Sequence, residues 1–194
     1  MHITKQTIDQ VDLRGKRVII RVDFNVPLDD ALQITDDSRI RATLPTINHT
    51  VDEGGSVILC SHLGRPKGKP CPELSLAPIA KRLKRFLEKD VIFSPDCVGP
   101  QVKNLVSQLK PGDVLLLENL RFHKGETEND PSFSLQLAKH GDVFINDAFG
   151  TSHRSHASNV GVVPFFTQKG IGFLIENELK YLEKAIKNPA RPFV

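Results

Sequence analysis

Uninterrupted apolar runs alternate along this chain with stretches that carry apolar residues at helical spacing. The strongest run, residues 57–60, breaks directly into the polar segment His62-Leu63-Gly64-Arg65-Pro66. Its length and β-branched content are typical of a buried parallel strand. Further runs of this kind cover residues 16–22, 91–93, 114–117 and 142–145. The alternation predicts an α/β fold, a mostly parallel sheet with helices on both faces in a Rossmann-like three-layer arrangement.

Apolar residues three and four apart predict five helices between and after these strands. The expected helices cover residues 38–53, 75–89, 100–109, 131–140 and 176–187. Asp36, Asp37 and Ser38 are candidate caps of the first helix, and Pro45 is expected to kink it or delay its start. The Asp130-Pro131 pair is a strong start signal for the fourth.

Polar side chains follow each apolar strand at the point where it ends. Because parallel strands place their carboxyl ends at one edge of the sheet, we expect these side chains to converge there. They are Asp23 and Asn25, His62 and Arg65, Glu118, Asn119 and Arg121, Asn146 and Asp147, and His153 and Arg154.

Each of these signals has a simpler interpretation when it is taken alone. Asp23 and Asn25 are residue types that shape turns. Arg39, in the first turn of a helix, opposes the helix dipole unless an anion lies nearby, and it could equally be a solvated surface residue. Two histidines three apart, His153 and His156, could bind a metal, but they have no acidic or thiol partner at ligand spacing.

Arginines dominate the predicted edge, and this points to the class of ligand. The cationic members, Arg39, Arg65, Arg121, Arg154 and His62, outnumber what a single carboxylate would need. The guanidinium fork binds phosphate and carboxylate through two hydrogen bonds, so several converging arginines indicate a small polyanion. No GxxxxGK[ST], GxGxxG or GxSxG motif is present, nor an acidic cluster for magnesium. Such a site suits a ligand whose own carboxylate is the nucleophile, because that group needs no general base.

Composition narrows the class of protein. The 194 residues are 39% hydrophobic and 25% charged, which suits one globular domain. We expect no membrane span and no signal peptide. The small net charge of +3 comes without a basic block, so nucleic acid is not an expected partner. Cys60, Cys71 and Cys97 match neither a zinc site nor a disulfide framework, which favours inert thiols in a reducing cytoplasm.

Five segments carry a close resemblance to a known family. They are RVDFNVP (21–27), DDSRIRA with LPTI (36–47), SHLGRPKG (61–68), LLLENLRFHKGE (115–126) and INDAFGTSHRSHAS (145–158). In order and spacing, these motifs resemble the amino-terminal half of the phosphoglycerate kinases, and the resemblance covers essentially the whole chain.

The resemblance implies a role for each candidate site residue. Asp23 and Asn25 would contact the hydroxyl and carboxylate region of the substrate. Arg39 would lie nearest the transferring phosphoryl group and act as the catalytic residue. A basic patch for 3-phosphoglycerate or 1,3-bisphosphoglycerate would comprise Arg39, His62, Arg65, Arg121 and Arg154.

The resemblance also implies a domain organisation. Family members are about twice this length and are two-domain, hinge-bending kinases. Residues 1–173 would form the substrate domain, and residues 174–194 the interdomain helix and the truncated start of the nucleotide domain. That missing domain would bind Mg-ATP or Mg-ADP, so nucleotide and metal sites are not expected in this chain. The full-length enzyme would be a cytoplasmic monomer of glycolysis, and this fragment would be inactive alone. The alternative is a stand-alone small-anion-binding domain without catalysis.

Overall fold

The structure is a computed structural model that describes residues 6–187. Six strands form one sheet in the order β3-β4-β2-β1-β5-β6, and every neighbouring pair is parallel. The predicted parallel sheet is therefore confirmed. The strands are β1 Arg17–Val22, β2 Ser56–Cys60, β3 Val91–Phe93, β4 Val114–Leu116, β5 Val143–Asp147 and β6 Gln168–Ile171.

Helices cover both faces of this sheet, as the sequence pattern predicts. One face carries α1, α2 and α6, and the other carries α3 and α5, each with its own apolar cluster. The short α4 packs against α5. The helices are α1 Ser38–Asp52, α2 Ala77–Leu87, α3 Pro100–Ser107, α4 Lys124–Thr127, α5 Pro131–Ala138 and α6 Phe173–Lys187.

The central strands explain the continuous apolar runs. In β1, Val18 and Ile20 belong to the apolar cluster on one face and Ile19 to the cluster on the other. In β2 every residue is buried. A strand that is covered on both faces needs apolar residues at successive positions, not at alternate ones.

One helix starts where expected, and another starts earlier. Pro45 lies inside α1, which begins at Ser38, so of the two effects expected from Pro45 the delayed start is not found. A proline inside a helix costs about 3 kcal/mol, and complete burial of Ile40 and Ile47 on the same helix offsets this cost. Helix α6 begins three residues before the predicted Glu176, because side chains outside the helix hydrogen-bond its first N–H groups.

One predicted strand ends two residues too early, and one strand was missed. Asn146 and Asp147 do not follow β5 but form its last two positions, paired with Arg21 and Val22 of β1. The edge strand β6 is half exposed and lacks an apolar run, so the pattern held no signal for it. No helix in the described part of the chain is long and apolar enough to cross a membrane. Residues 188–194, the end of the predicted segment 174–194, lie outside the described residues.

Candidate functional site

Three of the predicted arginines meet in one cleft at the carboxyl edge of the sheet. Arg65 follows β2, Arg121 lies in the 3-10 turn Leu120–Phe122 after β4, and Arg154 lies in the loop after β5. They line a cleft of about 300 Å³, which we call the cationic cleft. No carboxylate is among its described lining residues, so the cleft suits a small polyanion. Its other lining residues are Lys67, Gly68, Thr127 and His156.

The backbone of Gly64 joins two predicted site residues. Its carbonyl accepts a hydrogen bond of 2.7 Å from Arg121 Nη1, and its N–H donates to Asn25 Oδ1 at 2.9 Å. Gly64 has a φ of +60°, and a Cβ there would lie 2.7 Å from Leu74 Cδ2. Only glycine fits this position without displacement, which gives a physical reason for the glycine between His62 and Arg65.

Arg121 is held among other positive charges. Burial lowers its pKa to about 10, and the neighbouring Arg154 and Arg21 contribute to this shift. The guanidinium is still protonated at neutral pH, so the cleft carries positive charge that no carboxylate among its described lining residues balances. A bound anion would relieve this repulsion.

His62 lies behind the cleft as a neutral residue. Burial, followed by the charges of Arg21, Arg121 and Arg154, lowers its pKa to about 2. Its Nδ1 lies 3.2 Å from Arg21 Nη2, and because a guanidinium only donates, Nδ1 must be the acceptor. The ring proton is therefore on Nε2. The sequence-based interpretation of His62 as a cation is therefore wrong, because its ring is neutral.

A buried polar network supports the loop that carries Arg154. The carboxylate of Glu126 is fully buried and accepts from the N–H of Ser158 at 3.0 Å and from its hydroxyl at 2.6 Å. Arg21 Nε donates to the same hydroxyl at 2.9 Å, and His156 Nδ1 lies 3.6 Å from Glu126. Burial raises the pKa of Glu126, but His156, Arg21 and Ser158 outweigh it and hold the pKa below its usual value.

Asp23 and Arg39 form a pair at a different part of the edge. Arg39, in the first turn of α1, makes an ion pair with Asp23 Oδ2. Asp23 Oδ1 accepts from the N–H of Asn25 at 3.3 Å, so the turn-shaping role is realised as well. Neither residue lines the cationic cleft. The Arg39 side chain is about half exposed.

The expected convergence of all the polar strand-end residues is wrong. Glu118 accepts hydrogen bonds from the Ser75 hydroxyl and the Leu76 N–H, and Asn119 donates to the carbonyls of Leu63 and Leu74. Both side chains therefore hold neighbouring loops in place. Asp147 caps α6, and Asn146 lines a separate apolar cavity. His153 is exposed. Among the residues 6–187, neither His153 nor His156 belongs to a group of three metal-ligating side chains.

Sequence reasoning missed several residues around the cleft. Arg21 had one available signal, a charge flanked by apolar residues near the end of a strand, and Lys67 lies in the same motif as Arg65. Glu126 is the last residue of the segment 115–126 that carries the family resemblance, but nothing there marks its side chain as buried. Thr127 had no signal, because the packing of α4 places it.

Known proteins that match this sequence identify the family of the chain. The family model described as phosphoglycerate kinase matches residues 8–194. The chain belongs to the phosphoglycerate kinase family. A phosphoglycerate kinase from Anaeromyxobacter dehalogenans is 58% identical over 191 residues, which are 97% of this chain and 48% of that relative. One from Chloroherpeton thalassium is 57% identical over 98% of this chain and 48% of its own length.

Solved phosphoglycerate kinase structures agree with the fold. The structure from Coxiella burnetii has a TM-score of 0.84 and 37% identity, covering 97% of this chain and 46% of that one. The structure from Pyrococcus horikoshii OT3 has a TM-score of 0.86 and 32% identity, covering 96% and 47%. The chain thus spans about half the length of the curated relatives it matches, and it corresponds to their amino-terminal half.

Proposed function

We propose that this chain is the substrate-binding half of a phosphoglycerate kinase. The full-length enzyme would transfer a phosphoryl group between ATP and 3-phosphoglycerate, or between 1,3-bisphosphoglycerate and ADP, in glycolysis in the cytoplasm. The observation that carries the proposal is the cationic cleft, where Arg65, Arg121 and Arg154 face one small volume without a carboxylate among its described lining residues. The relatives favour this over the stand-alone anion-binding alternative, since those compared are phosphoglycerate kinases.

The two ends of the substrate would use different residues. Its phosphate binds in the cationic cleft, where three guanidinium groups provide paired donors. Its hydroxyl and carboxylate lie towards Asp23 and Asn25. His62 supplies a neutral donor from the buried side, and because it carries no charge it adds no desolvation cost of an ion.

Arg39 has the role closest to the chemistry. The attacking carboxylate is already ionised, so the site needs no general base, and phosphoryl transfer depends on positioning and on stabilising charge. The Arg39 side chain is half exposed and paired with Asp23. During transfer it would turn part of its hydrogen-bonding capacity from Asp23 to the transferring phosphoryl oxygens.

Nucleotide and magnesium belong to the rest of the full-length protein in this proposal. Magnesium takes oxygen ligands, and the arginine, lysine and histidine side chains of the cationic cleft do not fit it. The partners of this chain are therefore its substrate and the nucleotide-binding half, within a monomer. The three free thiols support a reducing location.

Amide NMR tests the binding step directly. Titration with 3-phosphoglycerate should shift the signals of Gly64, Gly68 and the loop around Arg154, and sodium chloride should weaken the effect. Glycerate and inorganic phosphate serve as controls for the two ends of the ligand. Shifts confined to residues outside this edge, or equal affinity for phosphate alone, would contradict the proposed substrate.

A further inference from the structure

Three metal-ligating side chains meet outside the cationic cleft, and the proposed kinase activity does not use them. They are Asp96, Cys97 and His123, and their ligand atoms all lie within 4.8 Å of one another. Asp96 and Cys97 follow β3, while His123 follows the 3-10 turn after β4. Because β3 and β4 are adjacent and parallel, their carboxyl ends bring these residues together although 26 positions separate Cys97 from His123.

The three donor atoms lie within 4.8 Å of one another, which is near the spacing in a metal site. His123 Nε2 lies 2.6 Å from Asp96 Oδ1. The Cys97 thiol donates a hydrogen bond of 2.9 Å to the carbonyl oxygen of Glu118. Tetrahedral zinc, with bonds of about 2.0–2.3 Å, holds its ligand atoms about 3.4–3.6 Å apart. The Asp96–His123 pair would need to open by about 0.8 Å to admit the ion. Both side chains are partly exposed, so they can make this movement.

The surroundings provide an inner wall and an entry path. Cys97 is fully buried and closes the inner side, while Asp96 and His123 line a cleft of about 460 Å³. The ring of Phe133 packs on the imidazole of His123 with ring centroids 5.2 Å apart, which limits its orientation. With Cys97 on the inner side and Asp96 and His123 on the wall of the cleft, the fourth coordination position would stay open to water.

We propose that Asp96, Cys97 and His123 form a binding site for a thiophilic divalent cation of the zinc class. On binding, the Cys97 thiol releases its proton to solvent and the thiolate sulfur bonds the ion, while His123 Nε2 and an Asp96 oxygen complete the protein ligands. The ion would join the segments that follow β3 and β4. Arg121 lies in the 3-10 turn that immediately precedes His123, so the ion would also stiffen the turn that carries this arginine of the cationic cleft.

Cobalt(II) is the probe that identifies thiolate ligation. A chain produced without an affinity tag and freed of metal is titrated with Co²⁺, while absorption is recorded in the near ultraviolet and visible ranges. The expected result is a sulfur-to-cobalt charge-transfer band that saturates at one equivalent and is removed by Zn²⁺. Cys97→Ser should abolish the band. His123→Gln and Asp96→Asn should each weaken binding at least about 10-fold, since even the loss of an outer-shell partner costs that much.

Matched variants separate this site from incidental binding. Cys60→Ser and Cys71→Ser remove the other two thiols, and His153→Ala removes an exposed histidine; all three should retain the band. If Cys97→Ser does not fold, the two partly exposed ligands, His123 and Asp96, still decide the question. A missing band, a band that survives loss of Cys97, or one that depends on Cys71 would overturn the proposal.

Discussion

Asp23, directly after β1, and Arg39, in the first turn of α1, form an ion pair across 16 residues of sequence. A cation in the first turn of a helix opposes the helix dipole, and the Asp23 carboxylate offsets this unfavourable placement. Arg39 is therefore held at the sheet edge by an anion. We expect a substrate oxygen to replace this anion, and the proposed role of Arg39 in the chemical step rests on that expectation.

Replacing Arg39 should affect turnover more than substrate binding. In the full-length enzyme, Arg39→Ala is expected to lower kcat about 100-fold or more, the usual cost of losing one pre-organised donor to the transition state. Steady-state kinetics with 3-phosphoglycerate and Mg-ATP measure this. Arg41→Ala, on the same helix but paired with Asp37, is the matched control and should leave kcat unchanged. A raised KM with normal kcat would assign Arg39 to ground-state binding.

The arginines of the cationic cleft should determine affinity. Removing one partner of a desolvated charge pair costs on the order of 2–5 kcal/mol, so Arg65→Ala or Arg154→Ala should weaken 3-phosphoglycerate binding at least about 30-fold. Calorimetry on this chain measures the change, with Arg85→Ala on the exposed face of α2 as control. Arg121→Ala is a poorer test, because Arg121 also fixes the backbone of Gly64. A variant that binds within about twofold of the parent would remove that arginine from the site.

Prediction from sequence succeeded where one signal acts locally. The runs that form β1, β2 and β4 are continuous because both faces are covered, and the arginines that follow strands could be assigned to the carboxyl edge. The Asp130 cap was also visible, and its side chain accepts from Phe133 N–H at 2.7 Å.

Prediction failed where packing joins distant residues. Glu126 and Ser158 are 32 positions apart, and their hydrogen bond depends on how α4 meets the segment Ala157–Gly161. The protonation of His62 depends on its burial beside Arg21, which no local pattern reveals. The edge strand β6 has three polar or glycine positions in four, so pairing with β5 defines it and its own composition does not.

The buried carboxylate of Glu126 should be important for stability. Glu126→Gln keeps one acceptor for Ser158 but removes the buried negative charge that His156 and, through Ser158, Arg21 stabilise. Breaking a buried charge arrangement in this way costs about 3–5 kcal/mol. Urea unfolding should therefore show a loss of about 3 kcal/mol or more, while Glu128→Gln, exposed and two residues on, should be nearly neutral.

The pH dependence provides a second measurement of the same group. The pKa of Glu126 is lower in the folded protein than its usual 4.5, so its contribution to the free energy of unfolding is present above that pH and decreases as the pH falls. This acid sensitivity should disappear in Glu126→Gln. An equal loss of stability on acidification in parent and variant would contradict the assignment.

Asp147 should produce the opposite pH dependence. Its carboxylate is fully buried, and Oδ1 accepts from the N–H groups of Leu174 and Ile175. Burial raises its pKa from 3.8 to about 6. Between these values the folded protein binds a proton that the unfolded chain has released. The free energy of unfolding from this group therefore falls as the pH rises from about 4 to about 6, by about 3 kcal/mol.

A paired measurement isolates the contribution of Asp147. Asp147→Asn cannot ionise, so the stability of the parent relative to this variant should decrease by about 3 kcal/mol between pH 4 and pH 7. Asp30→Asn, at an exposed position, is the control for the loss of a carboxylate. Urea unfolding at four or more pH values gives the result, and a difference between parent and Asp147→Asn that stays constant with pH would show that Asp147 does not titrate in this range.

Without the nucleotide-binding half, this chain should bind substrate but should not catalyse phosphoryl transfer. Phosphoryl transfer requires acceptor, phosphoryl group and leaving oxygen in line, with cations around them and water excluded. In the proposed function the described residues supply the acceptor site and one cationic wall, and no carboxylate that could hold magnesium is among the described lining residues of the cationic cleft. We expect weak, salt-sensitive binding of 3-phosphoglycerate, no specific Mg-ATP site and no measurable turnover.

Calorimetry with Mg-ATP and a coupled assay, run with and without the separately produced nucleotide-binding half, measure these outcomes. Tight ATP binding by this chain, or turnover without the other half, would mean that the nucleotide site lies in this chain. The proposed assignment of substrate binding to this chain and nucleotide binding to the other half would then be wrong.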